Sequence, residues 1–302
     1  MEKNILIAIF ILFALLSLLS DPFWSAFFSL VFIYIACSEM WSFMISKVNL
    51  LSLGQQAFIG LGGYTLAVSS VYYDLPIPFG ILMSACVAGI FTILELPPLL
   101  RLRGIYFAVG SWLFSEIIHL IFINWEFVHA GRGMAVPKAY GMSPTITYFM
   151  ALCVAIISVS VIYFLSKSKT GLALRSIGEN EMTALSIGIN SFKYRGFCFF
   201  IASLITGLAG GVYYTMRPYV IPWEAFGIQW TIGFAFASII GGSGTLLGPV
   251  IGSIIHVSLI HALAGFTIIA PLIDVIVVII VLFVFPKGIW GTTAEKMRFK
   301  LT

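Results

Sequence analysis

Seven ionisable side chains lie inside the apolar runs of this sequence: Glu39, Glu95, Glu116, Asp274, His119, His256 and His261. Charge kept in such a run is expensive, so each is a candidate for function. Glu116 and His119 stand at i and i+3, a spacing that puts an acid and an imidazole on one helix face. Such a pair can relay a proton, the chemistry of a proton-coupled secondary carrier; the plainer alternative is a hydrogen-bonded pair at a helix or subunit interface. Glu95 is expected to form a structural ion pair with Arg101 or Arg103, which follow closely. Other chemistry is missing. No GxxxxGK[ST] run occurs, so this chain has no loop to cradle ATP phosphates. Cys37, Cys86, Cys153 and Cys198 all sit in apolar runs, none in a CxxC pair, and read as small buried thiols. A Cys/His metal cluster, a nucleophile elbow and acids paired for acid–base catalysis are lacking, so neither a metal site nor an enzyme is expected.

The elements that carry these residues follow from composition. Hydrophobic residues make up 60% and charged residues 9%, against about a quarter charged in soluble domains. The fold class is an all-α polytopic membrane protein, one domain over residues 1–302. Nucleic acid is not an expected partner; the lipid bilayer is. Ile5 to Leu19 resembles a signal-peptide core, but no small-residue cleavage pattern precedes Asp21-Pro22, so it reads as a first membrane helix. Judged against about 20 apolar residues per crossing, ten segments qualify: 5–20, 26–46, 51–71, 77–98, 104–123, 145–165, 196–215, 228–242, 248–264 and 267–285. The 228–242 segment and the glycine run after it are candidates for a broken or re-entrant helix.

Orientation has its own test in the cations. With the N-terminus inside, Lys3, Lys47, Arg101, Arg103, Lys167, Lys169, Arg175, Lys193, Arg195, Lys287, Lys296, Arg298 and Lys300 fall on the cytoplasmic side. Arg132, Lys138 and Arg217 fall outside. The division is 13 to 3 and uses all 16 cations. Ten spans with both termini cytoplasmic is therefore the expected topology.

One polar stretch, Ser166 to Gly196, interrupts the apolar runs on the cytoplasmic side. Ser176 with Glu179 three residues on reads as a capping box, and Glu179 and Glu181 suit the positive end of a helix. Met182, Leu185 and Ile189 form an apolar stripe over a helix from about Ile177 to Ile187. Gly188 can supply a left-handed terminus, followed by Asn190, Lys193 and Arg195. A helix of this kind lies on lipid or docks in a partner's groove. Its acids outnumber its bases, which suits an anionic leaflet poorly and favours docking.

"ALRSIGENEMTALSIGIN" resembles the cytoplasmic coupling-loop motif of ABC importer permeases of the branched-chain amino acid (LivM/LivH-type) family. Ala173, Arg175, Asn180, Glu181, Ala184, Gly188 and Asn190 stand where that pattern has them. "NLLSLGQQAFIGLGGY" from Asn49, "LRLRGIYFAVGSWLFSEI" from Leu100, "IIGGSGTLLGPVIGS" from Ile239 and "FPKGIWG" from Phe285 agree in order and spacing. The resemblance implies a pore-forming subunit in the plasma (inner) membrane of a prokaryote. Its partners would be a second, homologous permease, usually making a heterodimer, two cytoplasmic ATPases and an extracytoplasmic solute-binding protein. ATP and Mg would bind the ATPases, with no cofactor on this chain. The coupling loop, about 166–195, would use Arg175, Glu179, Asn180, Glu181, Met182, Ala184, Leu185, Gly188 and Asn190.

Candidates for the translocation path are Ser52, Gln55, Gln56, Gly62, Gly63, Glu116, Gly241, Gly242 and Gly244. Glycine permits close helix approach in lipid, and irregular backbone survives there only under cover of protein or water. The run Gly241 to Gly248 is expected to form a broken helix or tight turn near that path. Five spans per half would suit an inverted repeat, although the halves show no convincing similarity. Gln55 replaces a His common in the family, and the outer loop "WEFVHAGRGMAVPKAY" lacks the usual Thr-Gly-Gly run. Both departures fall on the solute side. A branched-chain or other hydrophobic amino acid is the default solute, with urea or a short amide as the alternative. A structural or receptor protein is disfavoured, since no folded extramembrane region is evident.

Overall fold

The computed structural model describes residues 2–16, 21–266 and 270–296. Each of the ten apolar segments contains a helix. In chain order they are α1 (Glu2–Leu16), α2 (Pro22–Val48), α3 (Gln56–Val71), α4 (Ile77–Leu99), α5 (Ile105–Asn124), α6 (Pro144–Lys167), α7 (Lys169–Glu179), α8 (Glu181–Ser186), α9 (Ser191–Met216), α10 (Pro222–Ala225), α11 (Gln229–Gly241), α12 (Gly248–Ala262), α13 (Ala270–Val284) and α14 (Gly288–Lys296). Among the described residues six helical stretches are long and apolar enough to cross a membrane: α2, α4, α5, α6, α9 and Leu272–Glu295. The fold is an all-α polytopic membrane fold. The ends of the first and tenth segments (17–20, 267–269), Arg298 and Lys300 lie outside the described residues, as do the side chains of Lys3 and Lys296.

Two helices form the centre. α2 starts at Pro22, where a missing N–H costs nothing, and ends at Asn49 in the left-handed region (φ 54°). Most of its length is buried, packed on α6, α9, α11 and α12. α9 packs on both α3 and α4, which also pack on each other, and touches both through small residues. A Cβ on Gly62 of α3 would stand 2.2 Å from the Gly207 carbonyl oxygen, and one on Gly207 would stand 2.4 Å from Ala88 of α4. Helices in lipid associate by such close backbone approach because apolar burial gives them little.

α11 and α12 form an antiparallel hairpin. Its contacts pair Gly241 with Gly248 and Ala237 with Gly252, and the turn uses Gly242 at φ 112° and Gly244 at φ 94°. The 13 residues of α11 reach only about 20 Å at 1.5 Å per residue, short of a hydrocarbon core of about 30 Å. Gly288, at the start of α14, packs on Gly242, and Ser42 of α2 accepts a hydrogen bond from the Gly244 amide at 3.1 Å. Two glycine-bearing stretches far apart in the chain thus close on one another.

Three expectations need correction. The third helix begins at Gln56 rather than Leu51, and 49–55 is irregular. Among the described residues Glu95 makes no ion pair: it is 3% exposed on α4, its Oε1 has no partner there, and Arg101 and Arg103 lie exposed beyond the helix end. Meeting them would mean burying a guanidinium. Finally, only Cys37 and Cys198 are buried thiols, whereas Cys86 and Cys153 lie on exposed helix faces. The long connection after α5 carries a two-residue strand, β1 (Met134–Ala135), paired antiparallel with β2 (Tyr219–Val220). This ladder joins the connection after α5 to the one after α9.

Candidate functional site

The irregular segment Asn49–Gln55 threads the bundle interior with Leu50, Ser52, Gly54 and Gln55 buried. Backbone at such a place needs partners from its neighbours, and α2 and α5 supply them. Trp41 Nε1 donates to the Ser52 carbonyl at 2.9 Å, the Leu50 amide donates to the Met44 carbonyl at 3.2 Å, and the Leu53 amide donates to Ser111 Oγ at 3.0 Å. Gly54 is required here: a Cβ would stand 2.2 Å from the Ser111 carbonyl oxygen.

From this segment two amides enter a buried polar cluster. Thr206 of α9 donates to Gln55 Oε1 at 2.9 Å, and Gln55 Nε2 points at Met44 Sδ, 3.7 Å away. The Gln56 backbone amide donates to Thr231 Oγ1 of α11 at 3.0 Å, and the Thr231 hydroxyl bonds Gln56 Oε1. Ser52, Gln55, Gln56, Thr206 and Thr231 have no measurable exposure. Gln56 Nε2 has no hydrogen-bond partner among the described residues. The cluster is neutral and offers both donors and acceptors in a low-dielectric interior, with one amide nitrogen left to give. Thr206, Thr231 and Ser111 were not singled out from sequence; hydroxyl residues inside apolar spans were the available signal.

The other path candidates are elsewhere. Gly62 and Gly63 face α9, the latter against the Tyr214 ring, while Gly241, Gly242 and Gly244 form the α11–α12 turn beside Ser42. Glu116 and His119 do share a face, with Nδ1 3.2 Å from Oε2. His119 is buried against Trp223 and Phe226, its Nε2 lacking a partner among the described residues. No hydrogen bond among the described residues links this pair to the Gln55 cluster. A second acid–imidazole pair went unread in the sequence: His256 Nδ1 lies 3.2 Å from Asp274 Oδ1, joining α12 to α13.

The polar loop is two helices, not one. Ser168 caps α7 by accepting from the Gly171 amide at 3.1 Å, and Asn180 caps α8 by accepting from the Thr183 amide at 3.1 Å. The expected cap, Ser176, instead donates to the Leu172 carbonyl within α7, and Glu179 pairs with Arg175 at 2.9 Å. The break comes from Asn180, whose extended backbone and side-chain carbonyl start a new helix. α7 extends back to Lys169 because Ala173, Leu174 and Ile177 bury a face against the bundle. Gly188, at φ 86°, ends α8: its amide donates to Leu185 and that of Ile189 donates to Ala184, the paired pattern of a Schellman motif. Asn190 then caps α9 by accepting from the Lys193 amide.

This loop is braced from within and apolar without. Glu181 Oε1 accepts from Ser191 Oγ at 2.7 Å and Arg195 Nη1 at 3.0 Å. Ala184 is buried, whereas Met182 and Ile187 are each 69% exposed and Leu185 45%. Ile189 turns inward, so the stripe read from sequence is shared between the two sides. Leu185, Ile189 and Phe192 line a groove of 440 Å³ floored by Glu181 and Arg195. Asn49 Nδ2 donates to the Gly178 carbonyl at 2.8 Å, so the end of α7 is tied to the first residue of the irregular segment. No metal-binding cluster of His, Cys, Asp and Glu occurs among the described residues.

Residues 23–286 match the family model described as "Branched-chain amino acid transport system / permease component". The chain is 22% identical over 306 residues to the high-affinity branched-chain amino acid transport system permease protein LivM of Escherichia coli, covering 90% of this chain and 71% of the relative. It is 27% identical to the probable branched-chain amino acid transport permease protein LivH of Methanocaldococcus jannaschii, covering 75% and 76%. It is 22% identical to the nucleoside ABC transporter permease protein NupC of Lactococcus lactis, covering 55% and 58%. No solved structure gives a significant match.

Proposed function

The chain belongs to the family of branched-chain amino acid transport system permease components, and from that premise we propose that it is one of two membrane subunits of an ATP-driven importer. Ten helices cross the membrane of a prokaryotic cell, with both termini and the α7–α8 loop in the cytoplasm. A homologous permease completes the pore, two ATPases dock on the loops, and an extracytoplasmic binding protein delivers solute. ATP and Mg belong to the ATPases. The 13-to-3 cation division and the helix in each of the ten segments support this topology.

The observation that carries the reading is the loop. A short helix fixed by Asn180, Gly188 and the Glu181–Arg195 pair holds out three apolar side chains beside a groove, the form of a docking element for another protein. The preceding helix, α7, is bonded at its end through Asn49 to the segment that holds Gln55 and Gln56. Movement of α7 on ATPase closure pulls on that segment, breaks the Gln55–Thr206 and Gln56–Thr231 bonds, and frees amides and hydroxyls for a passing solute. In the closed form those groups bond one another, Gln56 Nε2 excepted, and close the path.

The solute is a small neutral or zwitterionic molecule, because the cluster offers dipoles and no charge. A branched-chain or other hydrophobic amino acid fits, as does urea or a short amide; a nucleoside enters the choice because one relative is named for that cargo. The test is uptake of a labelled panel by proteoliposomes holding both permeases and the ATPases, with binding protein and ATP supplied. ATP-dependent uptake of one member is expected.

A second reading rests on the Glu116–His119 contact of 3.2 Å, a proton-coupled carrier. Uptake by this chain alone, driven by a pH gradient and lost in Glu116→Gln, would establish it and end the importer reading.

A further inference from the structure

Two concavities on the outside of the bundle meet at the end of α6. The first, of 360 Å³, lies between the end of α2 and the start of α7. It is lined by Lys47, Lys167, Lys169 and Arg175, and no acidic side chain lines it. Arg175 is paired at the surface with Glu179. Lys167 rests on Tyr163, its Nζ 4.3 Å from the ring centroid and 2.6 Å from the hydroxyl. Lys47 and Lys169 take part in no ion pair among the described residues. The second concavity is an apolar groove of 450 Å³ between α1 and α6, walled by Leu6, Phe10 and Ala14 on one side and Ile156, Val159 and Tyr163 on the other. Tyr163 joins the two. It walls the groove, while Lys167, one turn further on the same face of α6, lines the cationic cavity.

We propose that the two concavities together bind one anionic phospholipid, with the phosphate in the cationic cavity and an acyl chain in the α1–α6 groove. Each half calls for one part of such an amphiphile. Inorganic phosphate fills the cavity but leaves the groove empty; a neutral lipid does the reverse. The cavity sits at the ends of α2 and α6, which the spans proposed above put at the depth of a headgroup, and basic pockets between membrane helices at that depth select anionic lipid. Lys169 and Arg175 belong to α7, so bound lipid fastens the first helix of the loop to the membrane. The orientation proposed above decides only which leaflet supplies the lipid.

The test uses the purified full chain in neutral detergent. Phosphatidylglycerol, phosphatidylcholine or inorganic phosphate is added, and native mass spectrometry and thermal unfolding are read. Phosphatidylglycerol is expected to bind as one retained copy and raise the unfolding midpoint, with neither other addition reproducing this. Lys167→Gln combined with Lys169→Gln, both exposed positions, should weaken retention about 30-fold. Ser160→Trp fills the groove without touching a cation and should weaken it about tenfold. Equal retention in both variants overturns the proposal. Equal protection by inorganic phosphate makes the cavity a site for soluble anions and overturns the lipid assignment. Neither readout involves an ATPase or transport, so failure of the importer reading leaves this test intact.

Discussion

Asn49 makes two contributions that substitution can separate. Its Nδ2 bonds the Gly178 carbonyl at 2.8 Å, and its backbone sits at φ 54°, where asparagine is favoured over alanine. Asn49→Gly removes the bond and leaves the backbone relaxed. For this exposed contact the loss is about 1 kcal/mol, about fivefold in any equilibrium that depends on it. Asn49→Ala removes the same bond and adds about 1 kcal/mol of left-handed strain, for a total of about 2 kcal/mol or about 30-fold. If the bond transmits loop movement to Gln55, solute taken up per ATP hydrolysed in proteoliposomes should fall in the order wild type, Asn49→Gly, Asn49→Ala. The ATPases should co-purify undiminished, because the outward face of α8 is untouched. Wild-type coupling in Asn49→Gly would refute the transmission route. Loss of ATPase binding in both variants would reduce Asn49 to a scaffold of the loop.

The outward face of α8 gives the complementary result. Leu185→Asp buries an unpaired charge on docking, a cost of several kcal/mol, and should abolish ATPase co-purification with membrane insertion unchanged. Gly188→Val meets no neighbour within 4 Å but must hold φ 86°, a strain of about 1–3 kcal/mol that should weaken docking by about 5-fold to 150-fold. Asn180→Ala should cost about 1 kcal/mol through the lost cap, whereas Ser176→Ala should be near neutral in thermal unfolding. For topology, cysteine at Ile187 should label only from the cytoplasm and cysteine at Tyr140 only from outside; both positions are exposed, and the opposite labelling refutes the proposed orientation. Thr206→Val leaves Gln55 Oε1 buried without its donor, about 1–3 kcal/mol against the sealed form, and should raise ATP hydrolysis in the absence of solute.

Local signals in the sequence were legible where local physics decides. Apolar length marked the ten helices, and Gly188 announced its terminus because few other residues hold that backbone. The loop's middle was misread because Ser176 and Asn180 are both good caps. What chose between them was burial of Ala173, Leu174 and Ile177 against helices distant in the chain. The same distance hid the cluster. Nothing near Thr206 or Thr231 marks them as partners of Gln55 and Gln56, since bonds spanning more than a hundred residues leave no periodicity. His256 and Asp274 each stand in an apolar run, but only the packing of α12 on α13 makes them a pair.

The Glu95 error has a different cause, and it bears on how the site works. Sequence proximity to two arginines invited an ion pair, yet in a bundle the helix end separates buried from exposed positions within one turn. Glu95 falls on the buried side and both arginines on the other. A similar step separates buried Ser42 from exposed Lys167 and Lys169. It also explains why the irregular segment can start at an exposed Asn49 and be wholly enclosed by Gln55. If the proposed function holds, a loop tied through α7 to the exposed end of that segment acts on its buried end through six intervening peptide bonds, short enough for a movement of α7 to reach Gln55.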